Sequence, residues 1–434
     1  MNAITPPATG PLAALRGATD SFLAAYHARR AALPGDTHIR AEAAALLDKH
    51  GLPGPREEAW RYTPLRPFAE ARFAAPEKAE PSAALLARIP AIAGTRLVFV
   101  NGRFHSELSG VPKGLHITTG EPAYGTLARP AEEKLVALNT LLAEDGAAIH
   151  VPAGVDGGTI ILISLATGGG QGFHPRHAIT LDAGAKLTLV DLALGEGEYL
   201  HNPVLTFAVA EGATVTHLRI QDEGAGAFHL STAYADIAAG ATYDSFALIL
   251  GARLARMEVH ARLAGEQAAA HLNAAQILGD TGSGAGQHAD FTTIVRHDAP
   301  NTASRQTVKN VLTGKSRGVF QGKIEVDRLA QKTDGYQMNQ ALLLSRDAEM
   351  DSKPQLQIYA DDVKCSHGAT VGALDADQLF YLRSRGVPEP EARAILVRAF
   401  LAEALDPIAH EEARAAMEAA IAAWWANGAQ GGQP

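Results

Sequence analysis

Residues 361–372 read DDVKCSHGATVG and hold Cys365, the single cysteine of a 434-residue chain, two positions before His367. A thiolate and an imidazole are both metal ligands, and a thiolate is also a nucleophile. In extended backbone Asp361, Val363, Cys365 and His367 share one face, and Asp362, Lys364 and Ser366 share the other. At a rise of roughly 3.3 Å per residue, Cys365 and His367 stand about 6–7 Å apart, close enough for both side chains to reach one ion. Tetrahedral zinc or an iron–sulfur cluster normally takes four ligands, so one thiol excludes a self-contained cluster site. A metal here needs further ligands: His or Asp of this chain, another subunit, or small thiols. Cys and His two apart on one strand do not give the nucleophile–base geometry of a cysteine protease. From these residues alone, an inert buried cysteine and a shared metal or sulfur site both stand.

Three other stretches invite chemistry and carry less. LTGKS at 312–316 has the end of a phosphate-binding loop, but Lys309 stands where the motif needs its first glycine, and no helical pattern follows. GDTGSGAGQ at 279–287 lacks the G-x-G-x-x-G spacing and reads as a loop. His297, Asp298, Ser304 and Arg305 supply the residue types of a serine hydrolase without a nucleophile elbow around Ser304, and polar residues at solenoid corners explain them more simply. The chain is therefore expected to bind no nucleotide. Residues 301–332 carry seven Lys/Arg against two acids, and residues 334–362 carry six acids against two bases. Such adjacent stripes either steer a complementary protein surface or form ordinary ion pairs on a solvated face. Phe320 is the one aromatic residue within the basic stripe, too little interleaving for nucleic acid.

The bulk of the chain sets the frame. A net charge of −9 gives no basic field for nucleic acid or an acidic membrane. One cysteine cannot form an intramolecular disulfide, which suits a reducing cytoplasm. The start, MNAITPPATGPLAAL, lacks the basic region and apolar run of a signal peptide, and no apolar stretch approaches the ~20 residues of a membrane span.

The elements that must position these residues fall into three blocks. Residues 1–149 read as a helical region with a small hairpin. Leu15, Phe22, Leu23, Tyr26 and Leu33 recur at helical spacing, Gly51 suits a C-cap, and Trp60 and Tyr62 look like anchors filling a domain seam. TRLVFVNGRF at 95–104 is a hairpin turned on Asn101-Gly102, and a helical insert at 130–146 follows it. From about 150 short strands take over, and an x-Gly-Ala phrase recurs at Gly154, Gly184, Gly212, Gly240 and Gly265, spaced 30, 28, 28 and 25 apart. A period of this length marks a solenoid whose units bury their apolar sides by stacking on one another. Residues 150–372 are read as that core, a mainly β fold and most simply a β-helix, with a β-sandwich as runner-up. Residues 373–434 are again helical. Ala392, Ile395, Leu396, Ala399, Phe400 and Leu405 are expected on one stripe, Asp406 and Pro407 at the start of the last helix, and NGAQGGQP as a frayed tail.

The run KPQLQIYADDVKCSHGATVG, the following DADQLFYLRSRGVPEPEARAILVRAFLAEAL, the preceding GVFQGKIEVDRLAQKTDGYQMNQALLLSRDAEMDSKP and the upstream REEAWRYTPL resemble the SufB/SufD family of iron–sulfur cluster assembly proteins. A single cysteine and the form KCSHGATVG point to its SufD branch. The resemblance implies a right-handed parallel β-helix between helical terminal regions. It implies a non-catalytic subunit that pairs with a SufB-type subunit and a SufC-type ATPase, with a transient iron–sulfur cluster formed at the SufB–SufD interface. It places His367 as a ligand to that nascent cluster and Cys365 beside it as an accessory thiol. It puts SufC docking on residues 375–405, where Phe380, Tyr381, Ile395 and Phe400 are the contact candidates against packing on the solenoid end. Residues 337–340 read QMNQ, with no thiol in that coil, so the chain is not expected to act as a stand-alone scaffold. Self-association as a homodimer without SufB stays open, as do two other classes: a carbohydrate-active solenoid enzyme and an interaction protein with no metal role.

Overall fold

The computed structural model describes residues 11–110, 114–281 and 284–428. Part of the N-terminal stretch read for a leader, two residues of the 279–287 loop and most of the C-terminal tail lie outside the described residues. Two long sheets share one core. The first runs through Asp156–Ala166, Lys186–Gly195, Thr214–Asp222, Thr242–Ile249, Ala269–Leu278, Ala303–Leu312, Asp334–Leu343 and Lys364–Gly372. The second runs through Ala147–Val151, Arg176–Leu181, Val204–Val209, Phe228–Ile237, Leu254–Leu263, His288–His297, Arg317–Val326 and Glu349–Ile358. The chain alternates between them and all these neighbours pair in parallel, so the core is a parallel β-solenoid. The hairpin is built into it: Thr95–Val100 pairs antiparallel with Arg103–Phe104 and parallel with Asp156–Ala166. Asn101 and Gly102 take φ of 48° and 75°, as the turn requires.

Each coil turns sharply where one residue adopts positive φ. Gly154, Gly184, Gly212 and Gly240 hold that position in the early coils, as expected. The fifth corner belongs to Gln267 at φ 59°, followed by Asn301 at 57° and Lys332 at 62°. The corner N–H donates to the next coil, as in Gly212 to Ala239 O and Asn301 to Gln331 O, both 2.9 Å. Gly265 is therefore not the fifth corner; a Cβ on it would stand 2.1 Å from Ala239 N, so close approach of backbones is what needs glycine there.

Helices cover the outer flanks of the solenoid. α1 (Pro11–Arg29), α2 (Thr37–His50), α3 (Arg66–Glu70), α4 (Ala83–Ala87) and α5 (Lys134–Leu142) precede it or its second coil. α1, α2, α3 and α5 bury Phe22, Leu47, Phe68 and Leu138 in one cluster with Phe228, Leu230 and Leu254 of the second sheet. Trp60 is buried as an anchor, whereas Tyr62 is half-exposed beside Arg61. α6 (Ala376–Ser384), α7 (Glu389–Leu405) and α8 (Glu411–Gly428) follow the solenoid. α7 and α8, with α4, pack on the first sheet through Val397, Leu401, Met417, Ile421 and Leu85 against Ile163, Leu192, Phe246 and Val311. Strands apolar on both faces, such as GTIILISLA, need such cover. Lys309, fully buried, staples α7 by donating to Gln340 Oε1 and Glu403 Oε2, with the Phe400 ring 4.6 Å from its Nζ.

Two local expectations are corrected. α7 buries Ala392 and Leu405 as expected, but Val397, Leu401 and Ala404 in place of Ile395, Leu396, Ala399 and Phe400, because Leu396, Val397, Phe400 and Leu401 are apolar in succession around the helix and allow either face. α8 starts at Glu411, not after Asp406-Pro407; Asp406 closes α7, and His410 Nδ1 accepts the Ala413 N–H at the start of α8.

Candidate functional site

In the first sheet the side chains of each coil stack on those of the next. Ser304, Gly335 and Cys365 form one inward column in register, and Gln306, Gln337 and His367 form the adjacent one. Cys365 and His367 thus do share a face, as strand alternation requires, and that face looks into the solenoid. Lys364–Gly372 is the last strand of its sheet and Glu349–Ile358 the last of the other, so the coil above them is missing. No described helix closes this end; the helices occupy the flanks, and both terminal strands are half-exposed or exposed along their length. An inward residue of the last coil is therefore open to whatever docks there.

The two predicted ligands differ in environment. Cys365 is half-buried against Ile324, Val326 and Ala330, and Gly335 leaves room for it: a Cβ there would lie 3.3 Å from Sγ. Burial pushes the thiol above its ordinary pKa, against the pull of the Gly335 backbone N–H, so the protonated form dominates at neutral pH. His367 is exposed. Beneath it Gln337 is fully buried, and neither of its amide atoms has a hydrogen-bond partner among the described residues; Gln306 Nε2 is in the same condition. No third His, Asp or Glu among the described residues converges with Cys365 and His367 on one point. The pair offers two donors, short of a complete cluster set.

Around this end lie free strand edges and exposed apolar side chains: Leu329, Ile358, Tyr359 and Val371. The four candidates for a second contact separate. Phe380 and Tyr381 on α6 are 73% and 57% exposed, and α6 buries no residue at all. Ile395 and Phe400 on α7 are half-buried, and Phe400 already packs against the sheet with Lys309.

The weaker candidates resolve as structure. LTGKS is a turn between two strands, with Gly314 at φ 62° donating to Ser345 Oγ at 2.8 Å and Asp280 Oδ1 accepting from Lys315 N–H at 2.8 Å. Ser304 Oγ lies 3.0 Å from His297 Nε2, and Thr302 Oγ1 lies 2.8 Å from Nδ1, but all are sealed in the core. Asp298 is elsewhere, bound by Arg262 at 2.6 Å, so no triad forms. The basic and acidic stripes lie on neighbouring coils and neutralise each other through Arg305–Asp334 at 2.9 Å and Arg317–Asp351 at 2.6 Å. The amides beneath His367 escaped the sequence reading. Their signal is glutamine at 306 and 337, then histidine at 367, intervals of 31 and 30 that match one coil each.

Comparison with known proteins adds an independent finding. Residues 164–400 match the family model described as "SUF system FeS cluster assembly, SufBD core domain", and residues 27–163 match "SufBD protein N-terminal region". The chain is 32% identical over 380 residues to "Iron-sulfur cluster assembly protein SufD" of Escherichia coli (strain K12), covering 84% of this chain and 87% of that protein. It is 31% identical over 398 residues to an iron–sulfur cluster assembly SufBD family protein of Synechocystis sp., covering 85% and 86%. A SufBD family protein of Mycobacterium tuberculosis (strain ATCC 25618 / H37Rv) is 28% identical over 412 residues, covering 90% and 94%.

Proposed function

The chain belongs to the SufB/SufD family of iron–sulfur cluster assembly proteins, and from that membership we propose that it is a SufD-like, non-catalytic subunit of a cytoplasmic assembly scaffold. The observation that carries this reading is the uncovered last coil, which presents Cys365 and His367 on a strand whose outer edge is free. A SufB-type partner adds its own strands to the free edges, as in strand augmentation, and covers the exposed apolar side chains. It also supplies the thiolates that this chain lacks, and a transient iron–sulfur cluster forms as cargo between the subunits. His367 is the stronger ligand of the pair: it is exposed, whereas the Cys365 thiol must first lose a proton that its burial retains.

A SufC-type ATPase docks on α6 and α7. Phe380 and Tyr381 are its principal contacts because they are exposed and unused by the fold. Ile395 belongs to its rim, and Phe400 serves mainly to seat α7. ATP binds to that partner, and its dimerisation shifts the SufB–SufD pair as rigid bodies to open the interface.

The test is co-expression with SufB- and SufC-type subunits. A stable complex is expected, and a chain that elutes alone refutes the reading. His367→Ala is expected to impair cluster maturation while the complex still co-purifies, with Cys365→Ala milder. Unchanged maturation in His367→Ala removes the ligand assignment, and a larger loss in Cys365→Ala reverses the order of the two.

A further inference from the structure

On the opposite flank from α7, the second sheet turns a row of charged residues outward. In Leu254–Leu263 the residues Ala255, Met257, Val259 and Ala261 face the core, so Arg256, Glu258 and His260 face out. They are not left to solvent. The segments around Trp60 and before α5 fold beside them and border a half-open cavity of about 520 Å³. On its wall Glu133, Glu258 and His260 come together with their donor atoms all within 4.8 Å of one another. His260 Nε2 lies 2.8 Å from Glu258 Oε1 and 3.9 Å from Glu133 Oε1.

Each member is held for this arrangement. The other oxygen of Glu258 is occupied by Arg256 at 2.7 Å, and Arg256 is itself locked by Asp290, by the Ala59 carbonyl at 3.0 Å and under the Trp60 ring at 4.1 Å. That leaves Glu258 Oε1 aimed at the cluster in a fixed direction. The His260 ring stacks on Tyr234 with centroids 4.7 Å apart. Glu133 stands at the N-cap of α5, where a side chain ordinarily accepts a backbone N–H, yet it makes no cap hydrogen bond. Among the described residues the other bases of the wall are taken: Arg129 pairs with Glu132, Arg262 with Asp236 and Asp298, Lys323 with Glu325, and Lys353 with Glu58. Glu133 therefore pairs with no base except His260. Tyr234, only 5% exposed, also borders the cavity, and its buried hydroxyl has no hydrogen-bond partner among the described residues. Burial, then the Glu258 charge, push the Glu133 carboxyl up to about 7, which agrees with two carboxylates crowded in a confined space.

We propose that Glu133, Glu258 and His260 form a binding site for one divalent first-row transition-metal ion, with the Tyr234 hydroxyl as an outer hydrogen-bond donor. Two carboxylates and an imidazole suit manganese, iron or zinc; a hard ion such as calcium takes oxygen ligands only. The ion neutralises the crowded carboxylates, and Arg256 orients Glu258 as outer-shell groups orient ligands elsewhere. The cavity keeps room for coordinated water or a small ligand. This site is separate from Cys365 and His367 and does not depend on the cluster-assembly reading.

The experiment titrates the purified full chain with Mn²⁺, following the loss of the free-ion electron paramagnetic resonance signal, and repeats the titration with Zn²⁺ by calorimetry. About one ion per chain is expected. Glu133→Gln and His260→Ala each weaken binding more than about tenfold, and Tyr234→Phe, which removes a single oxygen, weakens it about tenfold. The Cys365→Ala/His367→Ala double variant keeps parent affinity, which separates this site from the last coil. The proposal is overturned if the parent binds neither ion, or if Glu133→Gln and Tyr234→Phe both bind as the parent does.

Discussion

Gln337 is the residue on which stability and function are most directly opposed. It stands one coil below His367, fully buried, with both amide atoms unpartnered. A buried amide without a partner costs about 1–3 kcal/mol, so an apolar side chain of similar size is expected to be better tolerated by the fold. Gln337→Met should raise the urea midpoint by the equivalent of about 1 kcal/mol. Under the proposed function it should also lower cluster maturation in the co-expressed complex, because it removes the polar layer directly below His367. A fall in the urea midpoint would mean instead that the amides hold ordered water, which Met expels. Lys309 is the opposite case. Its buried charge is met by Gln340, Glu403 and the Phe400 ring, and it serves to seat α7.

The solenoid corners separate two uses of glycine that look identical in sequence. Gly212 takes φ of 65°, and a Cβ added there meets nothing within 4 Å, so only backbone conformation asks for glycine. Gly265 keeps negative or extended φ, but its Cβ would collide with Ala239 N and Cα at 2.1 and 2.5 Å. Gly212→Ala should therefore cost about 1 kcal/mol, the penalty of a left-handed L-residue. Gly265→Ala should cost about 3 kcal/mol, because two coils must be forced apart. Urea midpoints of the two variants check the order, and equal shifts would show that Gly265 is not a packing constraint. The same pair shows what was legible in the chain. The repeat of x-Gly-Ala revealed the solenoid, since early corners need glycine for its φ. It misplaced the fifth corner because Gln267, Asn301 and Lys332 carry positive φ held by backbone bonds to the next coil. Cys365 and His367 were legible as a shared face from strand alternation alone. Glu133, Glu258 and His260 were not, because 125 residues separate the first from the second and only the folding of the α5 segment over the sheet brings them together.

At the scale of the whole molecule, the core is unusually rich in neutral histidine, and this sets its response to acid. Burial lowers His174, His177, His288 and His297 to about 4, against an ordinary 6.5. His217 and His229 are lowered in the same direction by burial. A group whose folded pKa is depressed contributes its full stability above the unfolded pKa and loses it as pH falls. In these histidines the unfolded chain takes up protons from about 6.5 downward while the folded chain refuses them until about 4. Each then costs about 1.4 kcal/mol per pH unit across that window. Glu133, pushed up to about 7, holds its proton in the folded state over the same range and opposes the trend, as do His260, Asp145 and Asp244, which are also raised. The sum runs against the fold, so the unfolding midpoint should fall steadily between pH 6.5 and 4.5, with net proton uptake on unfolding. Thermal or urea unfolding at several pH values measures the slope, and a midpoint flat over that range would show that the buried imidazoles exchange protons without opening the solenoid. The consequence is local as well as global. Two of these histidines, His288 and His297, lie in the later coils towards the open end that carries His367, and His174, His177, His217 and His229 lie in the earlier coils. Acid costs both halves, but the later coils end on strands exposed along their length, so hydrogen exchange at pH 5 should show the strands from His288–His297 onward losing protection ahead of Lys186–Gly195.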